Sequence, residues 1–189
     1  MKTRWIIGLF ALFFSTPIAH AGFIELGTSA NYRRSTIDSN NFQESISFTG
    51  SVAYYFWESS ALELSYTEGY SQIVVTPIAD SKTITETQFS LLGLDFVLSI
   101  SGREDAFQPY LKMGGAVITK SIYRQIDGVT GKDKIAEQTG TVPSAGIGFK
   151  ILLTKTFSIK IGVDAWTSPL NDDPVTIDYA GRAGLSWFL

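Results

Sequence analysis

The sequence predicts an all-β protein: an eight-stranded antiparallel transmembrane β-barrel with up-and-down (meander) topology, preceded by a cleaved N-terminal signal peptide. Three observations lead to this prediction. A short apolar run follows two basic residues at the start of the chain; eight stretches of alternating apolar and polar residues follow; and aromatic residues, 13% of the chain, gather near the ends of those stretches. Such alternation is typical of strands with one apolar face, and aromatic girdles mark the interfaces of membrane barrels.

The first 21 residues have the organisation of a signal peptide. Lys2 and Arg4 precede the apolar run Trp5–Phe14, and a small-x-small sequence ends at Ala21. The run is shorter than the roughly 20 residues that a membrane-spanning helix needs, which argues against an N-terminal anchor. We therefore predict cleavage after Ala21 and a single barrel domain, residues 22–189, exported to the outer membrane.

The composition restricts the chemistry of that domain. The chain has no Cys, and its one His, His20, lies in the predicted signal peptide. Ser-His-Asp and Cys-His arrangements and His-bound zinc are therefore excluded from residues 22–189. Removal of Lys2 and Arg4 takes the formal charge from −3 to −5, and an acidic chain argues against a nucleic-acid partner. We predict a protein that is not an enzyme and has no cofactor and no metal site.

The eight alternating stretches are separated by residues that favour turns, chiefly Asn, Asp, Gly, Pro and Ser. Opposite the apolar faces lie small and charged residues mixed, which favours a packed polar lumen over a soluble sandwich. The predicted strands are Phe23–Arg34, Phe42–Trp57, Ala61–Thr76, Thr83–Ile100, Phe107–Arg124, Lys134–Thr154, Thr156–Thr167 and Val175–Leu189. The residues predicted to form the aromatic girdles are Tyr54, Tyr55, Phe56, Trp57, Tyr110, Phe157, Trp166, Trp187 and Phe188.

Charged residues of both signs share the faces predicted to point inward. An eight-stranded barrel is just wide enough for its own side chains, so these charges predict an ion-pair network that fills the lumen. Arg182 is expected to pair with Glu25, because strand eight must close against strand one. A gated polar pore is the alternative that the composition leaves open. The predicted network residues are Glu25, Glu63, Asp95, Lys112, Lys150, Lys160, Asp164, Asp178 and Arg182.

Small residues face outward near the seam between the first and last strands. Small side chains allow two barrels to approach closely in lipid, so this patch predicts a barrel–barrel contact and a homo-oligomer. A belt of small residues that permits strand curvature is the alternative. The residues of the patch are Thr28, Ala30, Ala165, Gly181 and Ala183.

Glu68 does not fit the alternation, because its phase places it on the apolar face with Tyr66 and Tyr70. A carboxylate that faces hydrocarbon is costly. Either Gly69 marks a bulge that changes the phase, or Glu68 lies at the level of the lipid headgroups or against a partner. The sequence leaves both alternatives open.

Three segments carry a resemblance to a known family: Tyr54–Trp57 with Ala61–Tyr66, then Gln108–Ala116, and the C-terminal segment. With them the chain resembles the small eight-stranded outer-membrane barrels of Gram-negative bacteria, of the OmpA transmembrane domain, OmpX/Ail and OmpW types. The resemblance implies that the C-terminal segment is the insertion signal read by the barrel assembly machinery, with the matching positions Arg182, Gly184, Trp187 and Leu189.

The resemblance also implies periplasmic termini and contact with outer-membrane lipids and lipopolysaccharide. A membrane strand needs roughly 9–11 residues, so the longer stretches are expected to rise above the membrane as the hairpins Ser71–Thr87 and Ile118–Ala136. The predicted function is a structural or surface-interaction (adhesin-like) role with a plugged lumen. A narrow channel for small polar or amphipathic solutes, as in OmpW-type barrels, is the second hypothesis. A lipid-modifying enzyme, which would need a base other than His, is the third.

Overall fold

The computed structural model describes residues 22–36, 42–75, 83–126, 131–167 and 177–189, and the eight strands of this part of the chain form one closed barrel. Each strand pairs antiparallel with its neighbour in sequence, and the last strand pairs with the first. The strands are β1 (Phe23–Thr36), β2 (Phe42–Trp57), β3 (Ser60–Val75), β4 (Thr83–Ser99), β5 (Phe107–Ile126), β6 (Asp133–Leu152), β7 (Phe157–Thr167) and β8 (Ile177–Phe188).

The predicted fold class and strand order are confirmed, and each described strand end lies within two residues of its predicted position. Residues 1–21 and Val175 lie outside the described residues, so cleavage after Ala21 stays a prediction. None of the described residues belongs to a helix that is long and apolar enough to cross a membrane.

The alternation sorts each strand into an exposed apolar face and an inward face. Leu62, Leu64 and Tyr66 on β3 are about half exposed, whereas Glu63 and Ser65 between them are buried. Apolar side chains that face outward are stable only in contact with lipid tails, because in water they would form an extended apolar patch. The barrel therefore has an apolar exterior and a polar interior, the reverse of a soluble protein.

The register of the strands sets their tilt. A path of directly paired residues that starts at Thr139 on β6 and crosses β5, β4, β3, β2, β1, β8 and β7 returns to β6 at Phe149, ten residues from its start. With strands about 4.8 Å apart, this stagger tilts them by about 40° from the barrel axis. A row of paired residues therefore descends by about 3 Å per strand along this path.

The outer hairpins rise as sheet, as predicted. The β3–β4 ladder continues to the pair Val75–Thr83, and the β5–β6 ladder continues to Arg124–Asp133. Both β5 and β6 have 20 residues, about twice the length that a membrane strand needs. Ion pairs stand on this projecting part, with Lys132 Nζ 2.5 Å from Glu86 Oε2.

The side chain of Glu68 points away from the lumen, at the extracellular edge of the apolar band. The ladders on both sides of β3 show no register shift at Gly69, so the bulge alternative is wrong. The row of paired residues that contains Glu68 descends through Ala30 on β1 to Ala183 on β8. The residues at the same height as Glu68 therefore lie nearer the outer ends of those two strands. They are Tyr32 and Tyr179, which are both 60% exposed. Outward tyrosines are typical of the membrane interface, so this geometry supports the headgroup position.

Candidate functional site: the barrel lumen

Aromatic side chains close the periplasmic end of the lumen. Phe23 stacks on Tyr55 with ring centroids 4.3 Å apart, and Phe188 packs against both rings. The turn after β4 lies beneath them and places the Arg103 guanidinium 3.8 Å from the centroid of the Phe23 ring. Gln108 holds this turn, since its Nε2 donates a hydrogen bond of 2.5 Å to the Arg103 carbonyl. The floor is therefore an aromatic layer with a cation stacked on it.

Nine aromatic residues near strand ends were predicted to form the girdles, and this prediction is wrong for four of them. Tyr55, Tyr110 and Phe188 point inward and are at most 3% exposed, and Trp166 also lines the lumen. The physical reason is the two-residue period of a strand, which places adjacent aromatic residues on opposite faces. Trp187, next to Phe188, is 55% exposed and points outward as a girdle residue should.

A triad of Glu25, Tyr55 and Lys150 lies directly above the floor. Lys150 Nζ lies 3.0 Å from Glu25 Oε2 and donates to Tyr55 Oη at 2.6 Å. Tyr55 Oη in turn donates to Glu25 Oε2 at 2.5 Å. The three side chains close a ring of hydrogen bonds, and we call them the lower triad.

Six charged side chains form a second group higher in the lumen. Glu63 receives Lys160 on Oε2 at 2.6 Å and Lys112 on Oε1 at 3.3 Å. Glu63 is 1% exposed, so it bridges two cations away from water. We call this group the central cluster; its members are Glu63, Asp95, Lys112, Lys160, Asp164 and Arg182.

Lys112 connects the rest of the central cluster. Its Nζ lies 3.3 Å from Asp95 Oδ2 and 3.1 Å from Asp164 Oδ1. Asp164 also contacts Arg182, and Ser144 Oγ donates to Asp95 Oδ1 at 2.5 Å. One continuous chain of contacts therefore runs from Lys160 through Glu63 and Lys112 to Arg182.

The lower triad and the central cluster together form what we call the plug. The lower triad has one acid and one base, and the central cluster has three of each, so both groups are formally neutral. All eight strands contribute at least one of these nine side chains. Buried charges are tolerated only when they are paired. In this lumen the buried acids and bases are equal in number, so each charge can have a partner of opposite sign.

Glycines provide the room for the plug. Tyr110 on β5 extends across Gly148 and Gly162 on the next two strands, and a Cβ at either glycine would collide with its hydroxyl. The ammonium of Lys160 then lies 5.2 Å from the centroid of the Tyr110 ring. A side chain on β6 or β7 at this height would displace Tyr110, so these inward glycines fix the position of the Tyr110 ring.

Eight of the nine residues of the predicted network lie in the plug, and the side chain of the ninth, Asp178, lies outside what the structure describes. The expected pairing of Arg182 with Glu25 is wrong. Arg182 contacts Asp164, and Glu25 binds Lys150. The register explains this outcome, because Glu25 lies opposite Phe188, six residues away from Arg182 along β8.

Sequence reasoning missed two members of the lumen network, Tyr55 and Ser144. The signal for Tyr55 was present, since it shares the phase of Ala53 on β2 and must point inward with it. The alternation also places Ser144 inward with Lys150, but its contact with Asp95 could not be predicted, because that contact crosses Gly114, which lies between them on β5 and has no side chain.

The lumen changes character above the plug. A cavity of about 230 Å³ lies there, and a smaller one of about 40 Å³ lies at its base beside Asp95 and Lys112. The Trp166 indole lines both cavities, and its buried Nε1 has no hydrogen-bond partner among the described residues. The described residues that line the larger cavity are Asn31, Ser45, Ser47, Ser71, Ile73, Thr87, Phe89, Ile118, Lys120, Ile122, Trp166, Tyr179 and Ala180.

The small outward residues lie along the closing seam. Ala30 on β1 lies directly opposite Ala183 on β8, two residues from Gly181, and Thr28 and Ala165 flank them. A Cβ added at Gly181 would meet no other atom, so this part of the surface is open. The barrel–barrel contact and the insertion role of the C-terminal segment stay predictions.

A closed ring of tilted antiparallel strands, apolar outside and charged inside, defines a small eight-stranded outer-membrane β-barrel. The sequence matches the family model of the OprF membrane domain over residues 19–187, and the chain belongs to this family. A comparison with curated proteins finds no match by sequence.

Solved structures show the same fold at low identity. The chain is similar to the N-terminal β-barrel domain of Pseudomonas aeruginosa OprF, with a TM-score of 0.56 and 15% identity over 89% of this chain and 97% of that chain. It is similar to OprG of the same organism, with a TM-score of 0.59, 15% identity and coverage of 89% and 95%. It is also similar to Ail, the attachment invasion locus protein of Yersinia pestis, with a TM-score of 0.51 and 13% identity over 89% of this chain and 97% of that chain.

Proposed function

We propose that this protein is a closed, non-enzymatic barrel that anchors a surface-exposed sheet for adhesin-like contacts. The plug is the observation that carries the proposal. Its nine side chains come from all eight strands and meet across the lumen, and we infer that they close the middle of the barrel to solutes. Removal of one partner from a buried ion pair costs roughly 3–5 kcal/mol, because the other charge is left unpaired. Opening of the lumen would leave several buried charges unpaired at once and is therefore disfavoured.

The chemistry of the plug supports a role without catalysis. Residues 22–189 contain no His and no Cys, the side chains most often used as base and nucleophile. Glu25, Glu63, Asp95 and Asp164 each bind at least one ammonium or guanidinium group. A carboxylate held in this way stabilises its neighbours and is not available to take a proton from a substrate.

The projecting sheet supports the surface role. The β5–β6 hairpin extends far beyond the apolar band, and its outer face carries exposed polar residues such as Glu137 and Thr139. An extended sheet presents a rigid surface to a partner at low entropic cost. Ail, which has the same fold, is described as an attachment protein. Glu68 and the polar residues beside it are then in position to contact lipopolysaccharide and other outer-membrane lipids.

Conductance in planar bilayers tests whether the lumen is closed. The wild-type barrel is expected to be silent, and the charge-balanced variant Asp95→Ala/Lys112→Ala is expected to conduct, because it removes volume and charge from the central cluster. Thr49→Ala/Thr67→Ala, which removes two neutral hydroxyl groups from the lining of the small cavity, is the matched control and should stay silent. Stable single-channel openings in wild-type protein that is folded by its heat-shifted migration would instead support the narrow channel.

Adherence of intact cells tests the surface role. Thr119 and Thr139 are directly paired between β5 and β6. Residues 121–137 can therefore be replaced by an Asn-Gly turn that joins the two strands where they are already paired. We expect cells with the shortened hairpin to lose adherence to immobilised extracellular matrix while the barrel still assembles. Unchanged adherence with correct assembly would contradict the proposal.

A further inference from the structure

Glu68 is the charged residue that neither the plug nor the projecting hairpin explains. Its side chain stands in a groove of about 610 Å³ on the outer wall of β2, β3, β4 and β5. This volume lies within the roughly 300–1,000 Å³ of sites that bind small molecules. A carboxylate at the edge of the apolar band is costly unless a partner offsets its charge, so the groove is a candidate binding site.

A second carboxylate on the outer wall shows what Glu68 lacks. Lys132 Nζ lies 2.7 Å from Oε1 and 2.5 Å from Oε2 of Glu86, and Glu86 is only 7% exposed. Glu68 is exposed, and within the part of the chain that the structure describes its side chain makes no ion pair and no hydrogen bond. Its carboxylate is therefore open to a cation from outside the chain.

The polar neighbours of Glu68 are neutral and lie on its extracellular side. Ser90 on β4 is directly paired with Glu68, and Gln88 and Ser121 are paired with each other on β4 and β5. A row of paired residues rises from β3 toward β5, which places all three above the carboxylate. Hydroxyl and amide groups both donate and accept hydrogen bonds, so they suit the polar part of a lipid headgroup.

Apolar residues lie on the periplasmic side of Glu68. Phe48, which is paired with Glu68 and lies lower in the same row, is 61% exposed, and Tyr66 is 51% exposed. Gly50 is paired with Tyr66, and a Cβ added at Gly50 would meet no other atom. The wall below the carboxylate is therefore open and apolar, as contact with an acyl chain requires.

The number of charges in the groove favours one kind of cation. Ca²⁺ takes about six to eight oxygen ligands, many of them carboxylate oxygens, whereas Glu68 alone carries a formal charge among the described residues that line the groove. A primary ammonium has three N–H donors. One carboxylate and the oxygens of neighbouring hydroxyl and amide groups can accept all three.

We propose that this groove binds an outer-leaflet lipid whose headgroup ends in a primary ammonium, of the phosphoethanolamine class. The ammonium binds Glu68, the phosphate meets the neutral polar groups of β4 and β5, and the acyl chains pack against Phe48 and Tyr66. The site rests on the lipid contact of the proposed function and deepens it by naming the chemistry of the lipid.

Native mass spectrometry of the folded barrel in a mild detergent measures the binding of single lipids. The probes are dioctanoyl phosphatidylethanolamine, phosphatidylcholine, which has the same charge but no N–H group, and phosphatidylglycerol, which has no ammonium. Each is titrated once with EDTA and once with Mg²⁺. With either addition, we expect phosphatidylethanolamine to bind about tenfold more tightly than the other two, since a hydrogen bond to a charged group is worth about one decade in affinity.

Three variants test the role of Glu68. Glu68→Gln should bring phosphatidylethanolamine within about twofold of phosphatidylcholine. Glu68→Lys should reverse the preference in favour of phosphatidylglycerol, because a lysine ammonium attracts an anionic headgroup. Glu137→Gln, on the outer face of β6, is the matched charge control and should keep the wild-type preference, since Glu137 already pairs with Lys134 at 2.7 Å. The groove lies on the surface, so all three variants should keep the heat-shifted migration of a folded barrel.

Equal binding of phosphatidylethanolamine and phosphatidylcholine by the wild type would overturn the site, and so would a preference that survives in Glu68→Gln. Tight binding of phosphatidylglycerol that needs Mg²⁺ and is lost in EDTA would assign the groove to a divalent cation and would also overturn it. The proposed function is tested separately, by conductance and adherence. A silent, adherent barrel without a lipid preference would refute the site alone, whereas a conducting or non-adherent barrel that prefers phosphatidylethanolamine would refute only the proposed function.

Discussion

The lower and upper halves of this lumen are walled by the same strands yet filled in different ways. In the lower half, charged residues such as Glu63 and Lys160 meet across the barrel and are almost completely buried. In the upper half, Ser, Thr and Asn face aromatic and aliphatic residues around a cavity. The strands pair with their neighbours through both halves, with register shifts only at Tyr55/Trp57 and Ile122/Tyr123 among the described residues, so the main difference lies in the inward side chains. The closed lumen that we propose would therefore depend on the inward side chains and not on the number of strands.

The largest expected loss of stability comes from the residue that bridges two cations in the lower half. Glu63→Ala leaves Lys112 and Lys160 buried without their shared carboxylate, which should cost roughly 3–5 kcal/mol. Urea-induced unfolding from lipid vesicles, followed by tryptophan fluorescence, measures this loss. Glu68→Ala, on the outer face of the same strand, should change stability by less than about 1 kcal/mol. Equal losses for the two variants would show that Glu63 is not part of a coupled network.

The lower triad should show strong coupling between its charges. Lys150→Met leaves Glu25 buried without its cation and should cost about 3 kcal/mol, whereas Glu25→Leu/Lys150→Met removes both charges and should recover most of that loss. A double-mutant cycle with the same unfolding assay gives the coupling energy. Additive losses would mean that the two side chains do not interact.

The floor is expected to contribute less than the charges above it. Arg103→Ala removes the guanidinium that stacks on Phe23, and a partly exposed contact of this kind is worth about 0.5–2 kcal/mol. Glu104→Ala, in the same turn, is the control and should have little effect. A loss below about 0.3 kcal/mol would show instead that Arg103 behaves as a solvated turn residue.

The smallest effect is expected at the base of the upper half, in the lining of the small cavity. Thr49 and Thr67 share one hydrogen bond of 2.8 Å between their hydroxyl groups, and Thr67→Val should cost about 1 kcal/mol or less. The same unfolding assay detects this change. A loss comparable with that of Glu63→Ala would show that the upper half is also a structural network and would remove the contrast between the two halves.

The sequence predicts which residues of the plug face inward but not which of them meet. Period-two alternation places Glu25 and Arg182 inside, as observed. Their partners depend on the stagger of ten residues around the barrel, which arises from eight separate pairings and which no single strand encodes. The same stagger determines the height of Glu68, and this is why the sequence left its environment open.

Cavities were beyond the reach of sequence reasoning for a different reason. The upper cavity exists because Gly69 lets the Phe89 ring lie along the wall and because the hydroxyl residues opposite it are short. A pattern of residue types records which side chains face inward and does not record how far each of them reaches. Trp166 illustrates the difference, since its position at a strand end predicts a girdle residue and its side chain lines the lumen.

Accessibility of single cysteines tests the contrast between the two halves most directly. The chain has no Cys, so each introduced thiol reports one position. Ser71→Cys lies in the lining of the upper cavity, and Ser158→Cys lies in the lower half, where Ser158 is fully buried and hydrogen-bonded to Ser186 at 2.6 Å. With a membrane-impermeant methanethiosulfonate reagent on folded barrels, we expect rapid labelling of Ser71→Cys from the outer side and no labelling of Ser158→Cys from either side. Labelling of both positions at similar rates would contradict a closed lower half beneath an open upper one.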